Sequence, residues 1–127
     1  MVDLRRRILR TPLGIGFRDE ELLADNNDIH IAAYWDDELA GCLVFTSIND
    51  EIVKMRQVAV EEKYQGMGIG KSMIRFSEGV AKSRGYHTIT LHARSSVAPF
   101  YRKLGYNFTG EAFEEVTLLH YCMVRNL

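Results

Sequence analysis

The sequence predicts an α/β (α+β) domain built on a mixed, largely antiparallel central sheet with flanking helices. First, DIHIAAYW, LAGCLVFTS and EIVKMRQVAV are rich in β-branched and aromatic residues and are separated by Asp36-Asp37-Glu38 and Asn49-Asp50. That is the pattern of an antiparallel meander. Second, Ile69, Met73, Phe76 and Val80 follow a glycine-rich stretch at helical spacing. Third, YHTITLHA comes directly after that helix, so a strand-helix-strand step makes its two strands parallel with a right-handed crossover.

The totals fit one domain spanning residues 1–127, long enough to bury roughly two-thirds of its unfolded surface. With 16 basic and 17 acidic residues and a formal charge of -1, the chain carries no global footprint for nucleic acid or an anionic membrane, and neither partner is expected. Cys42 and Cys122 are the only cysteines, each inside an apolar stretch and without a second ligand at metal spacing. Both read as buried free thiols, and no metal is expected. MVDLRRRILR lacks the apolar core of a signal peptide, and no apolar run nears the ~20 residues that span a bilayer. A cytoplasmic location is expected.

In chain order, DLRRRILR places Leu4, Ile8 and Leu9 on one face of a short helix that Thr11-Pro12 stops. FRDEELLADNN suggests a second short helix with acids in its first turn. The meander follows, and strict alternation in its third run would put Lys54, Arg56, Val58 and Val60 on one face and Val53, Met55, Gln57 and Ala59 on the other. The long helix after the glycines carries Lys71, Arg75, Glu78 and Lys82 largely on other faces and stops at Gly85. SSVAPFYRKLGY reads as a short helix with Ser95 or Ser96 as its N-cap, Pro99 in the first turn and Gly105 at its end. LLHYCMVR closes the sheet.

Gly66, Gly68 and Gly70 stand where a strand gives way to a helix. A helix N-terminus has unsatisfied N–H groups and about half a positive charge, so glycines there let the backbone approach an anion, phosphate above all. A ligand-free glycine turn is the bland alternative. The NTPase loop is excluded because three residues, not four, separate Gly66 from Gly70-Lys71-Ser72. The dinucleotide fingerprint is excluded because Lys71 stands where its last glycine is needed.

Gln65-Gly66-Met67-Gly68-Ile69-Gly70 does match (Gln/Arg)-x-x-Gly-x-(Gly/Ala), preceded by RQVAV. With GYHTITLHARSSVAPFYRKLGY, it resembles the GNAT superfamily of acyl-CoA-dependent N-acyltransferases, in a small bacterial-type form, over roughly residues 29–127. The resemblance implies that the amides of Gln65, Gly66, Met67, Gly68, Ile69, Gly70 and Lys71 hold the pyrophosphate of coenzyme A. It also implies that the strands flanking the long helix splay apart. Val58, Ala59 and Val60 would then offer backbone hydrogen bonds to the pantetheine arm, and an N–H near Ala59 or Val60 would stabilise the oxyanion.

Tyr101 matches the family position of the tyrosine that protonates the departing thiolate. A phenol with a pKa near 10 is protonated at neutral pH and suits that task. The same tyrosine belongs to an apolar stripe with Val97, Phe100 and Leu104, so packing is its competing explanation. Arg94 stands where many members have an asparagine that bonds the pantetheine arm. It suits an acidic substrate, a CoA phosphate or a sheet edge.

The attacking amine must lose a proton. FEEVTLLHYCM is similar to the tail of a branch of small GNAT proteins, which makes Glu115, His120 and His92 candidates for the base or the substrate side, each with a structural role as the alternative. The family's first strand is either absent here or reduced to a remnant at MVD, and an uncovered sheet edge would invite a partner strand or a homodimer. The function implied is acetyl transfer from acetyl-CoA to a primary amine, on a small molecule or a peptide, by direct attack. The alternative is a non-catalytic acyl-CoA-binding or protein-interaction module on the same fold.

Overall fold

The computed structural model describes residues 9–10, 15–22, 28–110, 113–115 and 118–127. Among these, one sheet contains β1 (Leu9–Arg10), β2 (Ile15–Leu22), β3 (Asp28–Trp35), β4 (Glu38–Ser47), β5 (Ile52–Val60), β6 (Thr88–Arg94), β7 (Asn107–Phe108), β8 (Phe113–Glu115) and β9 (Leu118–Asn126). The helices are α1 (Ile69–Ser83) and α2 (Ala98–Lys103). In space the order is β1-β2-β3-β4-β5-β6-β9-β7, with β8 also on β9. β5 with β6 is the parallel pair, and the other pairings are antiparallel.

The meander forms as its breaks dictate. Asp36 and Asp37 both take positive φ, 49° and 68°, which gives the β3–β4 hairpin a turn whose twist matches the strands. Asn49 closes the next turn, its side chain accepting the N–H bonds of Glu51 at 2.8 Å and Ile52 at 2.9 Å. α1 buries Ile69, Met73, Ile74, Ser77, Val80 and Ala81. Its apolar face joins Ile31, Leu43, Phe45, Val53, Met55, Ile89 and Leu91 in one core cluster. Among the described residues no helix is long and apolar enough to cross a membrane.

The first helices expected from the sequence are corrected. The proposed helix beginning at Phe17 is strand over Ile15–Leu22, paired residue by residue with β3 from Ile15↔Trp35 to Leu22↔Asp28. Acid-rich helix propensity, worth tenths of a kcal/mol per residue, loses to a full edge of backbone hydrogen bonds and to Phe17, which is buried and stacks on Phe76 of α1 at 5.2 Å. Leu9 and Arg10 likewise pair with Phe17 and Gly16 as strand. The rest of the proposed N-terminal helix, and the MVD segment, lie outside the described residues.

The strict alternation expected of β5 also fails. Cys42 pairs with Ala59 but Val44 pairs with Arg56, so Gln57 and Val58 together oppose Leu43. Gln57 sits at φ 53°, which marks a β-bulge. Val58 and Val60 are thereby turned to pack against the core cluster, alongside buried Val53 and Met55. Ala59 is exposed. The thiols are corrected as well: both are free, but Cys42 is exposed on its strand and Cys122 is half-buried.

Candidate active site

The bulge opens the site. β5 and β6 pair from Ile52↔Thr88 to Met55↔Leu91 and no further. Beyond that point a cleft of about 580 Å³ lies between Arg56–Val60 and His92–Arg94, with Tyr101 in its wall. The Glu61 N–H bonds the Ala40 carbonyl at 2.7 Å. Strand alternation therefore directs the backbone groups of Ala59 toward β4 and those of Val58 and Val60 into the open gap. An extended ligand laid in the cleft meets the backbone of Val58 and the N–H of Val60, while the Val60 carbonyl is taken by the Gln65 side chain.

The glycine turn adjoins this cleft. A 3₁₀ turn over Glu62–Tyr64 leads into Gly66 at φ 81° and Gly68 at φ 80°. The Ser72 N–H makes the first intrahelical bond, to the Gly68 carbonyl at 3.1 Å, which leaves the amides of Ile69, Gly70 and Lys71 without partners in the helix. These amides border a hollow of about 570 Å³ that includes Gly66, Lys71, Val97 and Phe100. A chain of backbone donors at the positive end of a 15-residue helix, beside the exposed Phe100 ring and Val97, suits a diphosphate joined to less polar groups.

The glycines divide their work. Gly66 and Gly68 adopt left-handed backbone that a Cβ disfavours, whereas Gly70 is helical and a methyl there would make ordinary contacts with Val60 and Phe100, at 3.6 and 3.7 Å. Gln65 holds the turn to the strand end, its Nε2 donating to the Val60 carbonyl at 3.1 Å. Met67 is exposed, while the Ile69 side chain enters the core and leaves its amide at the helix start. Lys63 and Glu38 form an exposed ion pair across the base of the turn, which lowers the pKa of Glu38 and raises that of Lys63 through their shared hydrogen bond.

Tyr101 is 6% exposed, and burial alone pushes its pKa up to about 12. Its ring meets Phe100 and Tyr106 edge-on at 5.2 and 5.7 Å. The phenol thus stays protonated across the physiological range while standing in the cleft wall, which joins the packing and proton-donor readings instead of separating them. α2 begins after Val97 with no side-chain cap, so neither Ser95 nor Ser96 has the expected role. The N–H of Ser95 instead bonds the Leu119 carbonyl at 2.9 Å, which uses Ser95 to anchor the loop to β9.

A polar clamp fixes the far end of α2. Arg125 Nη1 donates to the Leu104 carbonyl at 2.8 Å, and Arg125 Nε lies 3.4 Å from Glu78 Oε2 on α1. Tyr106, fully buried, donates to the same carboxylate oxygen at 2.9 Å; burial and the adjacent Glu78 charge hold its pKa far above the usual phenol value. Gly105, at φ 98°, is the residue that lets Arg125 through, since a Cβ there would run into Nη1. Neither Arg125 nor the Gln57 bulge was legible as part of the site. One is an isolated basic residue in a strand, and the other breaks a pattern that side-chain identity does not break.

His92 lines the cleft and presents its ring edge-on to Phe113 at 5.0 Å. His120 stacks on Phe113 at 5.9 Å and is buried, with Nδ1 2.9 Å from the Leu118 carbonyl. That contact favours the tautomer with the proton on Nδ1 and the lone pair on Nε2. Glu115 ends β8 opposite Leu118. Of the base candidates whose side chains are described, His92 lines the cleft and His120 does not.

The sequence model of the Acetyltransferase (GNAT) family matches residues 2–106. The uncharacterised protein YyaT of Bacillus subtilis is 26% identical over 98 residues, covering 77% of this chain and 66% of that protein. A glucosamine 6-phosphate N-acetyltransferase of Trypanosoma brucei brucei is 31% identical over 62 residues, covering 49% and 42%. The chain thus spans less than two-thirds of the length of these curated relatives. Among solved structures, a GNAT acetyltransferase from Elizabethkingia anophelis with acetyl-CoA bound superposes with a TM-score of 0.74 at 19% identity, covering 90% of this chain and 99% of that one. An aminoglycoside 6'-N-acetyltransferase complexed with coenzyme A gives 0.73 at 19% identity, covering 81% and 74%. At these identities the structures establish the fold. With the family match across most of its length, the chain belongs to the GNAT acetyltransferase family.

Proposed function

We propose that the protein transfers an acetyl group from acetyl-CoA to a primary amine by direct attack, with Tyr101 protonating the leaving thiolate. The observation that carries this reading is the splay beyond Met55 and Leu91, which joins the glycine turn at one side to Tyr101 in the cleft wall. In this reading the amides of Gly66 through Lys71 take the diphosphate, and Val58 and Val60 bond the pantetheine amides as an added strand would.

The thioester carbonyl then lies beside the strand backbone at Val58 and Val60, where an N–H stabilises the oxyanion formed as the amine attacks. The C–N bond forms and the amine proton passes to a base, for which His92 is best placed. The C–S bond breaks, and the electron pair on sulfur takes the Tyr101 proton. A phenol held near pKa 12 remains a donor throughout the working range. The named acceptors of relatives include an aminoglycoside and a sugar-phosphate amine, so membership of the family leaves the acceptor open.

The test is release of free thiol from acetyl-CoA with a panel of amines, alongside calorimetric binding of coenzyme A. Tyr101→Phe should retain CoA affinity and lose most turnover, by about 10²-fold or more. Unchanged turnover removes Tyr101 from the mechanism, and binding without transfer to any amine would leave an acyl-CoA-binding module.

A further inference from the structure

Three basic side chains, Arg56, His92 and Arg94, line the cleft between β5 and β6, and no carboxylate is among the side chains described there. A chain with 16 basic and 17 acidic residues has no overall excess to account for that. The described ion pairs also lie elsewhere, joining Lys63 to Glu38 and Arg75 and Arg125 to Glu78. Glu61 and Glu62 border a different hollow, with Leu39 and Cys42 on the β4 side of the strand end.

The two arginines are also on the side away from the diphosphate site. Val53, Met55, Ile89, Leu91 and Ala93 belong to the core cluster that α1 covers, so the pleat turns Arg56 and Arg94, with His92, to the opposite face. The glycine hollow has Lys71 as its own charged side chain. What enters the cleft from the face opposite α1 therefore meets positive potential from both strands, focused by apolar walls.

We propose that the acceptor is a primary amine that also carries an anionic group, a phosphate or a carboxylate, held by Arg56 and Arg94 across the open end of the cleft. The proposal rests on the acetyl-transfer reading above and narrows its substrate class. The anion neutralises the cationic wall that would repel an unaccompanied ammonium group, and it places the amine near His92. Polyamines and other multiply cationic acceptors are selected against by the same charges.

Four small primary amines test this with acetyl-CoA as donor: O-phosphoethanolamine, β-alanine, ethanolamine and 1,2-diaminoethane. At least one of the two anionic amines should exceed ethanolamine in kcat/KM by about tenfold, the sum expected of two partly exposed charge pairs. The diamine should be the poorest acceptor. Arg56→Gln combined with Arg94→Gln should flatten the ranking without changing calorimetric affinity for coenzyme A. A flat or inverted ranking in the native protein, or a ranking that survives the double substitution, overturns the proposal.

If none of the four is acetylated, the transfer reading is decided separately by the wider amine panel above. Titration of the CoA-saturated protein with the same amines then decides the charge question. Selective uptake of an anionic amine supports the proposal, whereas no uptake, or uptake of the diamine, overturns it. The two anionic arms identify which anion the arginines prefer.

Discussion

Gly105→Ala probes the clamp that holds the helix of Tyr101. Two costs add. The backbone at φ 98° is one that an L-residue adopts at about 1–2 kcal/mol. The new methyl also displaces the Arg125 guanidinium from the Leu104 carbonyl, which it reaches at 2.8 Å. Arg125 is flexible enough to move aside, so the second cost is not a clash but the loss of a charge-assisted hydrogen bond, about 1.5–3 kcal/mol. The sum, about 2.5–5 kcal/mol, is a large share of the roughly 5–15 kcal/mol that holds a domain folded. Urea denaturation of the native protein, Gly105→Ala, Arg125→Ala and the double variant separates the two costs. Once Arg125 is gone, Gly105→Ala should cost only its backbone strain, so the cycle should show coupling of about 1.5–3 kcal/mol. Equal costs of Gly105→Ala in both backgrounds would refute the idea that this glycine exists to admit Arg125.

Two further outcomes follow from the same geometry. Gly68→Ala should destabilise by about 1–2 kcal/mol because φ is 80° although the space is open, whereas Gly70→Ala should be neutral or stabilising by up to about 1 kcal/mol through helix propensity; chemical denaturation that ranks them the other way contradicts the division of labour in the turn. Tyr101 titrates near 10 when unfolded and about 12 when folded, so between these values the folded state holds the extra proton and stability falls as pH rises, by about 2–3 kcal/mol in total. Melts across that window should show a shallower decline in Tyr101→Phe, and an equal slope would mean that the buried phenol does not carry it.

The candidate site was legible where chemistry is tied to local spacing. The interval from Gln65 to Gly70 distinguishes this turn from the NTPase and dinucleotide loops, because glycines at a helix start act through the backbone of their own segment. The three-strand meander and the crossover helix were legible for the same reason, their periodicities being set within each element. The N-terminal segment was not. FRDEEL has local helix signals, and pairing with β3 and the stacking of Phe17 on Phe76, distant in sequence, override them.

The sequence by itself determined the family, the glycine turn and the position of a candidate acid at Tyr101. Tertiary structure decided that β5 bulges at Gln57, that Val58 and Val60 consequently join the core face, and that Arg56, His92 and Arg94 share one cleft while Arg125 braces the end of α2. The physical reason is range. A turn or a helix stripe is encoded by residues a few positions apart, whereas a strand's register, the gap between two strands and the charge lining that gap depend on which distant segments pair and where their pairing stops.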